Sequence, residues 1–165
     1  MTTTCPNPDL TIRQAGGKIE VRMMSHPCHL RPARLELEKF SLQAGMAQED
    51  VEHLGLVFNE AVANIMRHGY GGAKDQPILA SFERRGDAEN AELIVTIRDW
   101  AKPFDPAQLP WQAAEAKLAG DHTDIDKITP GGLGLVCMRR WLDELKFNCL
   151  SDGMMLTMVK KIAHA

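Results

Sequence analysis

The sequence predicts an α+β fold: a two-layer α/β sandwich in which a mixed, mainly antiparallel sheet is covered on one face by helices. Two observations carry this expectation. The strand candidates fall mostly in neighbouring pairs joined by short polar turns, as hairpins do. The strict alternation of strand and helix that a doubly wound parallel sheet requires is absent.

The elements follow in order. Residues 1–17 are mostly polar, with two prolines and Gly16-Gly17, and read as a flexible N-terminal arm. The segment 18–24, KIEVRMM, alternates polar and apolar residues as a half-buried strand does, and Pro27 stops it. Over 29–42, Leu30, Ala33, Leu35, Leu37, Phe40 and Leu42 fit one helix that ends near Gly45, with Pro32 tolerated in its first turn. A second helix is expected over 48–68, its start marked by Glu49, Asp50 and Glu52 and its end by Gly69, Gly71 and Gly72. Strands at 78–84 and 92–98 then flank a turn at Gly86-Asp87. The region 101–130 holds four prolines, a short helix over 111–118 and the polar run GDHTDIDKITP; connections this long are often binding loops. A third helix follows over 133–142, and strands at 145–150 and 154–161 form a final hairpin around Ser151-Asp152-Gly153.

The 165 residues suffice for a single domain, expected over 18–162, with its own core. Hydrophobic residues make up 44% and charged ones 25%, an ordinary globular composition. A net charge of −3 argues against a nucleic-acid partner, so an anionic ligand must be held by a local arrangement. The four cysteines show no paired spacing and are expected as reduced, mostly buried thiols. His26, Cys28 and His29 fall short of the roughly four ligands of a closed zinc site. With no leader pattern and no apolar run of about 18 residues, the expectation is a cytoplasmic protein without a membrane partner.

Three segments point to chemistry. On the second helix, Leu54, Val57, Phe58, Ala61, Val62 and Ile65 form an apolar arc, and Glu60, Asn64 and His68 climb its border about 40° apart. A carboxylate there can take a proton, and an amide one turn on offers the hard oxygen that Mg²⁺ prefers. In VTIRDWAKPFDP an apolar strand delivers Asp99 at its end, where it can accept a hydrogen bond from an exocyclic amine, and the small Ala101 lets a ligand approach the backbone. In TPGGLGLVCMRRW, glycines directly before a helix leave backbone N–H groups free for an anion, the general device for cradling phosphate. Each segment also has an ordinary reading, as a helix border, a strand-ending turn and a hinge.

Taken together and in this order, the segments resemble the GHKL-type (Bergerat) ATP-binding fold, a histidine kinase-like ATPase domain. Within it, the sequence is similar to the anti-sigma factor serine/threonine kinases of bacterial partner-switching systems. Glu60-Ala61-Val62-Ala63-Asn64 with His68-Gly69-Tyr70 resembles the N box of that family. The stretch from Asp99 to Pro106 resembles its first glycine box, and Gly131-Gly132-Leu133-Gly134-Leu135 its second. The resemblance implies Glu60 as general base for a serine or threonine hydroxyl, Asn64 as ligand of the Mg²⁺ that bridges the ATP phosphates, and Asp99 as receiver of the adenine amino group. It also places His68, Ala101, Phe104, Gly131, Gly132, Leu133 and Gly134 beside the nucleotide and makes 107–130 an ATP lid. Implied partners are a STAS-domain anti-sigma factor antagonist, a sigma factor and a second copy of the protein as a homodimer.

The sequence departs from the family where Ala101 replaces a usual glycine, where Met154-Met155 follow Gly153 in place of a common threonine, and where Pro130 and Gly131 stand in place of a common arginine. Glu60 with Asn64 favours a kinase; Ala101 and Met154-Met155 motivate the alternative of a non-catalytic, nucleotide-dependent protein-binding switch. A histidine-kinase catalytic domain is disfavoured, because no helical segment with a phosphoacceptor histidine precedes the domain.

Overall fold

The computed structural model describes residues 9–119 and 133–163. Six strands form one sheet in the order β1-β2-β3-β4-β6-β5. They are β1 (Thr11–Ala15), β2 (Lys18–Met24), β3 (Pro77–Arg85), β4 (Glu92–Asp99), β5 (Glu144–Leu150) and β6 (Gly153–Lys161). Every pairing among them is antiparallel. The helices are α1 (Leu30–Gln43), α2 (Gln48–Asn64), α3 (Trp111–Ala119) and α4 (Leu133–Trp141). The α+β two-layer architecture expected from the hairpin pattern is the one observed.

Alternation along the strands builds the helix-side core. Ile19, Val21 and Met23 of β2, Ile78, Ala80 and Phe82 of β3, and Leu93, Val95 and Ile97 of β4 are buried. Against them α2 lays Leu54, Val57, Phe58, Ala61 and Val62, the expected arc, and the Phe58 ring meets Phe82 edge-on at 5.7 Å. On the far face Glu20 and Arg22 are exposed, while the cross-strand partners Ile94 and Val159 are buried. Burial of this cluster removes most of the apolar side-chain surface from water and is the main stabilising term.

Three expectations are corrected, and α1 adds a detail that residue type alone did not give. Thr11–Ala15 is an edge strand paired with β2, where composition had suggested a loose arm. Gly16 and Gly17, with φ of 58° and 80°, supply the two left-handed residues that a two-residue hairpin turn requires. On α1, Ala33, Leu37 and Phe40 are buried, but Leu35 and Leu42 are about half exposed. Seven residues apart, these two share a helix face that points away from the core. The second helix does not run regularly to His68: α2 ends at Asn64 and a π-helical turn covers Ile65–Gly69. Cys28 is disulfide-bonded, and of the other thiols described Cys137 is half-buried and Cys149 exposed, so the picture of reduced, buried thiols does not hold.

His26 and His29 have structural work. His26 Nδ1 accepts from Cys28 N–H at the start of a 3-10 turn, and the buried His29 accepts from Met24 N–H at 3.1 Å. Of the segment 107–130, the first part is a 3-10 turn over Pro106–Gln108, capped by Asp105, followed by α3. Residues 120–130, and with them Gly131 and Gly132, lie outside the described residues.

Candidate functional site

A cavity of about 560 Å³ opens between α2, the end of β4, the start of α4 and the β5–β6 hairpin. Its volume falls in the range of small-molecule sites, roughly 300–1,000 Å³. Glu60, Asn64 and His68 line one wall, Asp99, Ala101 and Phe104 another, and Gly134 a third. Seven of the ten residues singled out from the sequence therefore meet around one space. Of the rest, Leu133 opens α4, and Gly131 and Gly132 are among the residues not described.

Asp99 ends β4 and is only 5% exposed. Its Oδ1 accepts from Ala101 N–H at 2.9 Å, closing a tight turn that brings Ala101 to the cavity. Burial pushes the Asp99 carboxyl above the usual carboxylate range, against the lowering effects of the Ala101 N–H, the Arg98 guanidinium and the Met154 N–H. A carboxylate so placed is an acceptor set into an otherwise apolar wall that includes Met154 and Leu156.

Three fits hold this strand end. Tyr70 donates its hydroxyl to Pro77 O at 2.6 Å and accepts from Trp100 N–H at 2.8 Å, tying the segment after α2 to β3 and to the residue that follows Asp99. Burial raises the Tyr70 pKa further from neutrality, so the hydroxyl stays a donor. Arg98 donates to Asp99 O and to Met154 O, pairs with Asp152 and lies 4.4 Å over the Trp100 ring. Gly153 faces this knot with φ of 154°; a Cβ there would overlap the Asp99 carbonyl and stand 2.8 Å from Trp100 Cα.

The opposite end is built on α2 and α4. A Cβ at Gly134 would stand 2.8 Å from Glu60 Oε2 and 3.1 Å from Glu60 Cβ. Glycine thus lets the first turn of α4 seat directly on the Glu60 side chain. Two nonpolar fits tighten the middle: a Cβ at Gly69 would lie 3.1 Å from the Ala101 methyl, and Phe104 packs edge-on against Phe147 at 5.9 Å. Arg67 reaches back along the wall, with Nη2 3.2 Å from Asn64 Oδ1 and 3.9 Å from Glu60 Oε2.

Sequence reasoning did not single out Tyr70, Arg67 or Gly153 as site residues. Tyr70, the only tyrosine in the sequence, stands in the stretch His68-Gly69-Tyr70, but no role was drawn for it there. Arg67 and Gly153 declare themselves only through what they touch.

Residues 23–160 match the model of the histidine kinase-like ATPase domain. The chain belongs to that family. Among curated proteins it is similar to the serine-protein kinase RsbW of Bacillus licheniformis, 26% identical over 90% of this chain and 88% of the relative. It is likewise similar to RsbW of Bacillus velezensis, at 29% identity over 86% and 84% of the two proteins, and to RsbW of Listeria innocua, at 26% over 88% and 87%. The resemblance to anti-sigma factor serine/threonine kinases drawn from the three boxes holds. Glu60 and Asn64 on α2 and Asp99 at the end of β4 border one cavity. Among the described residues no helix is long and apolar enough to cross a membrane.

Proposed function

We propose that this protein is an ATP-dependent protein serine/threonine kinase and anti-sigma regulatory factor, and that it phosphorylates a STAS-domain anti-sigma factor antagonist. The observation that carries the reading is the convergence of Glu60, Asn64 and Asp99 on one cavity from two separate elements. In it, Asp99 accepts a hydrogen bond from the adenine amino group, and Gly134 with the start of α4 faces the phosphates. Glu60 accepts the proton of the incoming hydroxyl as its oxygen bonds to the γ-phosphorus; the bond to the bridging oxygen breaks and ADP leaves.

The donor set fits Mg²⁺, which takes one or two protein oxygens and fills the rest of its shell with phosphate and water. Asn64 Oδ1 is a neutral hard oxygen, half-buried on the cavity wall one turn from Glu60. Asn64 would hold the ion, whose contribution is to neutralise phosphate charge. The same reading takes 18–162 as one kinase domain, 107–130 as its lid, and a sigma factor and a second copy of the protein as further partners in the cytoplasm.

Transfer of label from ATP to a STAS protein in the presence of Mg²⁺ tests the proposal. Glu60→Ala is expected to abolish transfer while nucleotide still binds, and Asn64→Ala to remove the Mg²⁺ dependence of binding in calorimetry. Nucleotide binding with no transfer to any of several STAS candidates refutes the kinase. That outcome selects a non-catalytic switch, a second reading favoured by the Ala101 methyl against Gly69 and by Met154 in the cavity wall.

A further inference from the structure

We propose that Arg67 is a positioning residue that competes with Mg²⁺ for Asn64 Oδ1, so that the concentration of the ion governs nucleotide loading. The inference rests on the nucleotide reading given above. One guanidinium nitrogen, Nη2, faces both groups assigned to the chemistry: it donates to Asn64 Oδ1 at 3.2 Å and lies 3.9 Å from Glu60 Oε2. Asn64 and Arg67 are three residues apart, which sets them on neighbouring positions of the helix surface. Glu60 lies a full turn before Asn64 on the same edge. The π-helical turn begins at Ile65, between Asn64 and Arg67, and such turns shift the register of the face that follows.

Two cations cannot share this oxygen comfortably. A Mg²⁺ ion sits about 2.1 Å from its ligand oxygen. With Arg67 Nη2 at 3.2 Å from the same atom, ion and guanidinium nitrogen would be at most about 5.3 Å apart. Repulsion between the two charges therefore favours departure of the guanidinium as the ion arrives. Leaving is feasible, because the Arg67 and Glu60 side chains are 53% and 48% exposed and ion pairs in water are weak. Glu60 offers the departing guanidinium a partner within reach, so the clasp opens at Asn64 while Arg67 remains beside the proposed base. The same clasp holds Glu60 and Asn64 in register, which limits the side-chain freedom lost when the site fills.

The opposite possibility is that Arg67 serves as a plain phosphate-binding cation, and the two differ in sign. If Arg67 competes with the ion, removing its charge lowers the Mg²⁺ concentration needed for loading. If it only binds phosphate, removing the charge weakens nucleotide binding with and without Mg²⁺ and leaves the midpoint unchanged or higher.

The experiment titrates Mg²⁺ against binding of a non-hydrolysable ATP analogue to the full-length protein, followed by calorimetry, for the native protein, Arg67→Gln and Arg67→Lys. The Mg²⁺ midpoint is expected to fall about threefold in Arg67→Gln, the size an exposed ion pair supports. Arg67→Lys, which keeps the charge, is expected to stay within about twofold of the native midpoint. A midpoint in Arg67→Gln that is unchanged or higher overturns the role of Arg67 and leaves the kinase reading standing. A native protein that binds no Mg²⁺–nucleotide overturns both together.

Discussion

Gly134→Ala separates the fold from the site. The new methyl would stand 2.8 Å from Glu60 Oε2, 3.1 Å from Glu60 Cβ and 3.2 Å from Glu60 Cγ. The carboxylate oxygen can move, because the Glu60 side chain is 48% exposed. Cβ and Cγ follow the α2 backbone and can yield only if the two helices part by a few tenths of an ångström. Overpacking of this kind costs about 1–3 kcal/mol. Alanine in a helix returns up to about 1 kcal/mol relative to glycine. The net is a destabilisation of about 0–2 kcal/mol, a fall of a few degrees in melting temperature for a protein of this size. The effect on chemistry is expected to be much larger. A catalytic group displaced by about 1 Å can lose about a hundredfold in rate, and the displaced group is the proposed base. The assay is phosphoryl transfer to a STAS partner beside a thermal melt, with nucleotide affinity measured separately. Native transfer in a folded Gly134→Ala protein refutes the placement of Glu60 as base against the start of α4.

Gly153→Ala is expected to cost about 3 kcal/mol or more, because overlap with the Asp99 carbonyl adds to an unfavourable φ; a melting temperature within a few degrees of native contradicts that. Tyr70→Phe leaves Trp100 N–H and Pro77 O without their partner, for a loss of about 1–2 kcal/mol and weaker nucleotide binding, both checked on one preparation by melting and calorimetry. Asp99→Asn is expected to lower affinity for adenine nucleotides without lowering the stability of the free protein. The Asp99 carboxyl binds its proton more readily folded than unfolded, so its contribution to stability is present below the unfolded carboxyl range, about 3.9, and is lost as pH rises through the raised folded value. The variant should lack that slope, and a melt series at acidic pH in which native and variant proteins run parallel contradicts it.

How much of this was legible in the sequence depended on whether a residue's neighbours in sequence were also its neighbours in space. β2 was readable with its observed bounds, because Ile19, Val21 and Met23 alternate with Glu20 and Arg22 and the alternation is burial itself. β1 was not, because all five of its residues are exposed and an edge strand of that kind carries no apolar period; its one signal was the pair of glycines after it. Leu35 and Leu42 fit α1 by residue type, but their angular position on the helix places them outside the core. Within the site, Glu60, Asn64 and Asp99 belong to motifs with fixed local spacing and could be found. The Arg67 clasp follows a π-helical turn that a composition pattern does not distinguish from regular helix. The seat of α4 on Glu60 joins residues 74 positions apart, and only folding discloses that Gly134 is small for the sake of Glu60.

The two ends of the cavity are built on different principles, and this decides what substitutions in each will reveal. Around Asp99 the fits are made by backbone: Gly153 against the Asp99 carbonyl and Trp100 Cα, the Tyr70 hydroxyl between a peptide N–H and a peptide carbonyl, and the Arg98 guanidinium on two carbonyls. Backbone cannot move without disturbing β4 and β6, whose register pairs Asp99 with Met154, so changes to the supporting Gly153, Tyr70 and Arg98 register as stability. Around Glu60 the fits are made by side-chain ends: a half-exposed carboxylate under Gly134 and a half-exposed guanidinium spanning Glu60 and Asn64. Side-chain ends move at little cost to the fold, so changes there leave a stable protein and register as activity or metal dependence. On the proposed reading, a rigid pocket for adenine and an adjustable one for the phosphates suit a reaction in which one end of the nucleotide is held still while charge is redistributed at the other.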